Sequence, residues 1–160
     1  MSAAGTALFT LLGAWLAMML GDWFFPWLVL PDLVLLAWIA LVFAFAAVPL
    51  WPAVAFVSVL LDVSADVPLG LHGLAYALCA FLLLPGMRRL RLSSGVEQLT
   101  VIAFISVCAA LVKGILLYVL VDMPMPVGWP LGVFVQMLLW PFARALGEAL
   151  MRPHLPRDES

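Results

Sequence analysis

The sequence predicts an all-α polytopic membrane protein, a single domain built as a bundle of about six transmembrane helices. Of its 160 residues, 67% are apolar and 10% are charged, and the mean hydropathy is +1.22. Soluble domains are about 45–50% apolar and about 25% charged. A transmembrane helix takes about 20 residues, so five or six spans with short connections use the whole length. We therefore expect no soluble domain.

The first span is predicted at about residues 4–20. No Lys or Arg precedes it, and Gly21-Asp22 does not supply the small-residue cleavage site of a secretory signal peptide. We therefore interpret it as a retained span. An aromatic cluster typical of the headgroup level follows it: Trp23, Phe24, Phe25 and Trp27.

Spans two and three share one long apolar stretch. Pro31-Asp32 opens it, because proline suits a first helical turn and an acid suits the positive end of the helix dipole. A single helix over 33–61 would be about 43 Å long, too long for a hydrocarbon core of about 30 Å. Pro49 and Pro52 break the stretch. We place span two at about 33–48 and span three at about 53–67.

The remaining spans follow from turn and cap residues. Pro68-Leu69-Gly70 precedes span four, at about 71–84, and Pro85-Gly86 ends it before an Arg-rich loop. Ser94 with Glu97 has the form of a helix N-terminal capping box and opens span five, at about 97–121. Span six covers about 131–151, with a kink expected at Pro141.

Basic residues predict the orientation, since Lys and Arg collect in cytoplasmic loops. With six spans, the Arg-rich loop and the short tail at 152–160 lie on one side, which places both termini in the cytoplasm. The basic residues concerned are Arg88, Arg89, Arg91, Arg152 and Arg157. The acids on the opposite side are Asp22, Asp32, Asp66 and Asp122.

Three charges are expected at membrane depth. By helical rise, Asp62 lies about 14 Å into span three, near the midplane, and Asp66 lies one turn further out. Lys113 lies about 24 Å into span five, at a depth close to that of Asp66. An unpaired charge there costs about 2.5–3.5 kcal/mol or more. We expect Lys113 to pair with Asp66 or Asp62 as an interhelical clamp. There are two alternatives. The charges could form a proton or ion relay, or one acid could face a partner protein or a watery crevice.

The other polar residues indicate structural roles. His72 is expected to be an interfacial histidine with its hydrogen bonds made, and with Asp62 and Asp66 it offers too few ligands for a metal. Arg144 and Glu148 are four apart and predict a surface pair. Small residues four apart, which permit close helix packing, occur at Ala40/Ala44, Ala110/Gly114 and Ala143/Gly147. Cys79 and Cys108 lack any Cys-x-x-Cys spacing.

Catalytic motifs are not apparent. The sequence contains no Gly-x-Ser-x-Gly, His-Glu-x-x-His or P-loop pattern, so we predict no catalytic, cofactor-binding or metal-binding residues, and no nucleic-acid partner. An intramembrane aspartyl enzyme would need two converging acids, and a single pair four residues apart on one helix is thin support.

A set of short motifs carries a family resemblance. They are Pro31-Asp32, Leu60-Leu61-Asp62, Pro68-Leu69-Gly70-Leu71-His72-Gly73-Leu74, the Arg-rich loop, and Trp140-Pro141. In this order they resemble the MreD family of bacterial rod shape-determining membrane proteins, over about residues 31–153. The Leu-Leu-Asp and Pro-Leu-Gly block is the most specific part. The chain departs at 64–67, where the family often has a Ser-Gly-Ser-like turn. The residues that match are Asp32, Asp62, Pro68, Gly70 and Pro141.

The resemblance implies a non-enzymatic subunit of the cell-elongation complex in the bacterial inner membrane. Its direct partner would be an MreC-like single-span protein with a periplasmic domain. Through that partner it would connect to MreB, RodA and a class B penicillin-binding protein, and so to peptidoglycan synthesis and cell shape. The family's six-helix arrangement is similar to the substrate-binding subunits of energy-coupling-factor transporters.

Two hypotheses remain open. In the first, the helices form a scaffold that docks the MreC-like span, and the acidic rim contacts its periplasmic part. In the second, the chain is a small transport or lipid-binding subunit with a polar site near Asp62, Asp66, His72 and Trp129. A small molecule held stoichiometrically would favour the second.

Overall fold

The computed structural model describes residues 2–24, 31–44, 50–125 and 127–151. These residues form helices and turns, with no β-strand among them. The helices are α1 (Ala3–Phe24), α2 (Leu33–Ala44), α3 (Trp51–Ser64), α4 (Leu71–Leu83), α5 (Met87–Leu92), α6 (Gly95–Val121) and α7 (Trp129–Met151).

The molecule is a helical membrane protein, as its composition predicts. Four helical segments are long and apolar enough to cross a membrane: α1, the continuous segment Leu71–Leu92, α6 and α7. Helices α2 and α3 are apolar but shorter, with 12 and 14 residues.

Helix α2 forms the centre of the bundle. Its sequence is apolar on every side, which is typical of a fully buried helix. From Val34 to Phe43, only Ala37 is partly exposed. Helices α1 and α7 pack on α2, α3 and α4 pair with each other, and α6 packs between α4 and α7. The buried side chains form one continuous core around α2.

The Arg-rich segment is helical, which corrects the loop predicted there. Helix α4 passes through the 3₁₀ turn Leu84–Gly86 directly into α5. Pro85 lies in the first turn of this 3₁₀ segment, a position that proline tolerates better than the interior of an α-helix. The Arg91 guanidinium then donates to the carbonyl of Val42, near the end of α2. A cation there complements the negative end of the helix dipole.

The other boundaries lie close to those predicted. Ser94 caps α6 by accepting from the Glu97 N–H at 3.4 Å, and Pro141 lies inside α7, which continues on both sides of it. Helix α3 begins at Trp51 and ends at Ser64, about three residues before the predicted end. Several predicted features lie outside the described residues: Phe25, Trp27, the end of span two at 45–48, Pro49 and the basic tail with Arg152 and Arg157.

Helices α2 and α7 approach each other closely. A Cβ on Gly147 would lie 3.0 Å from the Ala40 carbonyl oxygen, inside normal van der Waals contact. Ala143 packs against the core one turn earlier. The small-residue pattern at 143 and 147 therefore sets the distance between these two helices.

Candidate functional site

Asp62 is buried completely, and its carboxylate takes part in three hydrogen bonds. Its Oδ2 accepts from the Gly70 N–H at 2.6 Å. Its Oδ1 accepts from the His72 N–H at 3.1 Å and interacts with His72 Nδ1 at 2.7 Å. These donors lie at the N-terminus of α4, where unpaired N–H groups and the helix dipole favour an anion. Asp62 thus fixes the turn between α3 and α4.

The turn itself depends on unusual backbone geometry. Gly70 has φ +96°, which glycine adopts without strain, and this aims its N–H at Asp62. Asp66 has φ +53°, a left-handed conformation that Asp and Asn tolerate better than most residues. Pro68 lies in the same turn and its carbonyl accepts from the Leu71 N–H at 3.2 Å.

The two acids of this segment occupy different environments. Asp62 lies two residues before the end of α3. Asp66 is exposed in the turn. The acids therefore share no buried site, and an aspartyl pair of the kind considered from the sequence is not formed.

Asp32 is the acid that joins three helices. Its Oδ1 accepts from the Leu35 N–H at 2.9 Å, which makes it the N-cap of α2. The same oxygen accepts from the Tyr76 hydroxyl of α4 at 2.7 Å. Its Oδ2 accepts from Lys113 Nζ of α6 at 2.8 Å. Tyr76 and Lys113 lie 44 and 81 positions from Asp32 and on other helices, so these two contacts are a product of the tertiary fold.

Lys113 therefore pairs with Asp32 and not with Asp62 or Asp66, contrary to the prediction. Asp62 instead takes part in three hydrogen bonds with Gly70 and His72 at the start of α4. The N-terminus of α2 lies at the same end of the bundle as Lys113 and carries a third acid, Asp32, which spans three and five alone do not reveal.

A cavity of about 210 Å³, with a mostly apolar lining, lies beside this pair. It is formed between α2, α4, α6 and α7. Its polar lining residues are Asp32, His72, Ser106, Lys113 and Gln136, and its apolar lining includes Val67, Met125 and Trp129. Of the predicted polar-site residues, His72 and Trp129 line it, whereas Asp62 and Asp66 do not.

Three residues of this site were not predicted from the sequence: Tyr76, which bonds to Asp32, and Ser106 and Gln136, which line the cavity. Each lies within an apolar span, and each is buried. A polar group at membrane depth is costly, and by this criterion Gln136 stands out within its apolar span just as Lys113 does.

The other predicted residues lie elsewhere. Arg144 pairs with Glu148 at 2.9 Å, as predicted, and also donates to the Gln98 side chain. Pro141 is exposed on α7 and does not line the cavity. In the described part of the chain, no three His, Cys, Asp or Glu side chains group closely enough to hold a metal ion.

An apolar groove of about 590 Å³ runs along a different face, between α1 and α7, with α2 as its floor. Its two polar side chains are satisfied internally: Thr10 donates to the Thr6 carbonyl and Thr6 to the Ser2 carbonyl. Small residues from all three helices line it: Gly13, Ala14, Ala37, Ala40, Ala143 and Gly147.

Comparisons of this chain with protein-family models, with curated proteins and with solved structures found no match.

Proposed function

We propose that this chain is a non-enzymatic scaffold subunit of the bacterial cell-elongation complex, and that it binds an MreC-like single-span protein. The observation that carries the proposal is that the residues matching the MreD motifs form hydrogen bonds within the bundle. Asp62 and Gly70 bond to each other across one turn, and Asp32 caps α2 and joins α4 and α6. With these bonds, Asp32, Asp62 and Gly70 maintain the arrangement of the helices.

The two buried acids support a non-enzymatic function. Both oxygens of Asp62 accept hydrogen bonds from α4, and both oxygens of Asp32 accept from neighbouring groups. A catalytic carboxylate needs a lone pair or a proton directed at a substrate. The hydrogen bonds of Asp32 and Asp62 are instead directed within the bundle.

The apolar groove between α1 and α7 is the surface we assign to the partner's span. Without a hydrophobic driving force in lipid, transmembrane helices associate through close packing, which small side chains permit. The groove supplies such side chains on its floor and on both walls, including Gly13, Ala37 and Ala143. A groove with its hydroxyls already bonded suits an apolar helix.

In this proposal the chain crosses the bacterial inner membrane six times, with both termini in the cytoplasm. The end of the bundle with Arg88, Arg89 and Arg91 would face the cytoplasm, following the distribution of basic residues. The exposed Asp66 and Asp122 at the opposite end would meet the partner's periplasmic part. MreB, RodA and a class B penicillin-binding protein would be indirect partners. A six-span bundle of this kind would be similar to the substrate-binding subunits of energy-coupling-factor transporters.

Co-purification with a groove variant tests the proposal. The tagged chain is expressed in a rod-shaped bacterium that lacks its own copy, extracted in mild detergent and assayed for MreC by immunoblot. We expect the unmodified chain to retain MreC and restore rod shape. Ala143→Trp, which fills the groove, should lower MreC recovery about tenfold or more and give rounded cells.

Ala149→Trp is the matched control, because Ala149 is exposed on the same helix and does not line the groove. It should leave MreC recovery within about twofold. Absence of MreC from the unmodified chain's preparation, with rod shape unaffected by deletion, would refute the scaffold function. Equal recovery with both variants would remove the groove as the docking surface.

A further inference from the structure

Two buried polar groups in the cavity beside Asp32 lack hydrogen-bond partners. Within the described part of the chain, Ser106 Oγ and Gln136 Nε2 form no hydrogen bond. Both side chains are 3% exposed, and both line the cavity. A polar group buried without a partner costs about 1–3 kcal/mol. Two of them on one cavity indicate that something outside the chain completes their bonds.

The unused groups define a pattern of donors and acceptors. Gln136 offers its amide N–H groups, Ser106 its hydroxyl, and Lys113 the N–H groups left after its single bond to Asp32. His72 also lines the cavity; its Nδ1 is used on Asp62, which leaves Nε2 for another hydrogen bond. In the neutral ring this nitrogen is an acceptor. The cavity therefore suits a group that accepts two or three hydrogen bonds and donates about one.

The charges of the lining favour an uncharged ligand. Lys113 and Asp32 form a salt bridge at 2.8 Å and cancel each other. A net charge on the ligand would then stand in an apolar bundle without an opposite charge, which is expensive. An amide or a hydroxyl-bearing carbonyl compound makes the same bonds without that cost.

The cavity has room for more than water. Its volume is about 210 Å³, and an apolar cavity of about 150 Å³ in another protein binds benzene. Most of the lining is apolar, and Trp129 contributes an aromatic ring to it. A ligand with a polar end and an apolar body matches this lining.

We infer that the cavity between α2, α4, α6 and α7 binds a compact uncharged molecule whose amide or hydroxyl end contacts Gln136, Ser106 and Lys113. Its apolar body lies toward Trp129. This site is separate from the groove that we assign to a protein partner, and its occupancy does not depend on that partner.

Three probes of matched size and different charge test this inference: benzamide, benzoate and benzylammonium. The full chain is reconstituted in lipid nanodiscs, and probe binding is followed by ligand-observed NMR, with empty nanodiscs as the background for lipid partitioning. We expect saturable binding of benzamide, at least about tenfold tighter than either charged probe.

Two variants then assign the contacts. Gln136→Leu and Ser106→Ala should each weaken benzamide binding about two- to tenfold, the range of one hydrogen bond. Ser58→Ala is the matched control. Ser58 is a buried serine whose hydroxyl bonds within its own helix α3, and it does not line the cavity. It should leave the affinity unchanged.

A cavity-filling variant keeps the test valid if Gln136→Leu does not fold. Ala110→Phe places a ring in the cavity from a partly exposed position and should abolish saturable benzamide binding. No saturable binding of benzamide to the unmodified chain would overturn the inference and leave only water in the cavity. Tighter binding of a charged probe, or unchanged affinity in Ala110→Phe, would overturn it as well.

Discussion

At the scale of single residues, the two buried acids behave differently because their surroundings supply different donors. Asp62 accepts from backbone and side-chain groups within ten residues, so its role is local. Asp32 also caps its own helix, but it accepts in addition from residues 44 and 81 positions away. In an apolar bundle a carboxylate is stable only when donors surround it, and both acids meet this condition.

Replacing Asp62 by Asn tests the local role. Asp62 uses both oxygens as acceptors, whereas Asn has one and presents an amide N–H₂ to the remaining donor. We expect Asp62→Asn to lower the free energy of unfolding by about 1–3 kcal/mol. The measurement is equilibrium unfolding in detergent micelles.

Asp66→Asn is the control for this change. Asp66 is exposed, and Asn tolerates its left-handed backbone. The free energy of unfolding should stay within about 0.5 kcal/mol. Equal losses from both substitutions would contradict the local role of Asp62.

At the scale of helices, the arrangement is determined by where small residues allow close approach. Helix α7 contacts α2 through Gly147, and α2 is buried on nearly its whole surface. Helix α1, by contrast, leaves Gly13 open to the groove. The glycines of the two outer helices therefore have different roles, although both lie inside apolar helices.

Substituting each glycine by alanine separates these roles. Gly147→Ala places a methyl group 3.0 Å from the Ala40 carbonyl oxygen and should destabilise the bundle by about 1–3 kcal/mol. Gly13→Ala meets no atom within 4 Å and should be neutral or stabilise α1 by up to about 1 kcal/mol. Thermal unfolding of both variants in the same detergent gives the comparison, and a smaller loss at 147 than at 13 would count against the close packing.

At the scale of the whole molecule, polar contacts hold the two ends of the bundle. At one end, Arg91 donates a hydrogen bond to the Val42 carbonyl of α2, and Arg144 donates one to the Gln98 side chain of α6. At the other end, Asp32 joins α2 to α4 and α6. The central helix is thus held at both ends by side chains from helices that follow it in sequence. The cavity lies at the end held by Asp32.

A double-mutant cycle tests the long-range pair. Lys113→Met and Asp32→Asn each break the salt bridge, so the double variant should lose less stability than the two single losses combined. We expect a coupling energy of about 1–3 kcal/mol from equilibrium unfolding in micelles. The cycle of Lys113→Met with Asp66→Asn serves as the control and should be additive. Coupling in the second cycle and none in the first would restore the pairing predicted from the sequence.

The sequence by itself determined the class of protein, most helix boundaries and the local contacts. Composition predicted a helical membrane protein, and turn residues placed α1, α4, α6 and α7 to within a few residues. The Ser94 cap and the Arg144–Glu148 pair also followed, since each joins residues three or four apart. Such contacts depend on helical periodicity, which is visible along the chain.

The tertiary structure alone decided which distant polar groups meet. A depth argument gives a residue's height along its helix but not the direction in which it faces, and an apolar helix such as α2 or α6 carries little periodicity to show its buried side. The sequence could therefore predict correctly at which end of the bundle Lys113 lies, but not that its partner is Asp32. Ser106 and Gln136 line one cavity because α6 and α7 pack together, and no local pattern records that two residues 30 positions apart share this cavity.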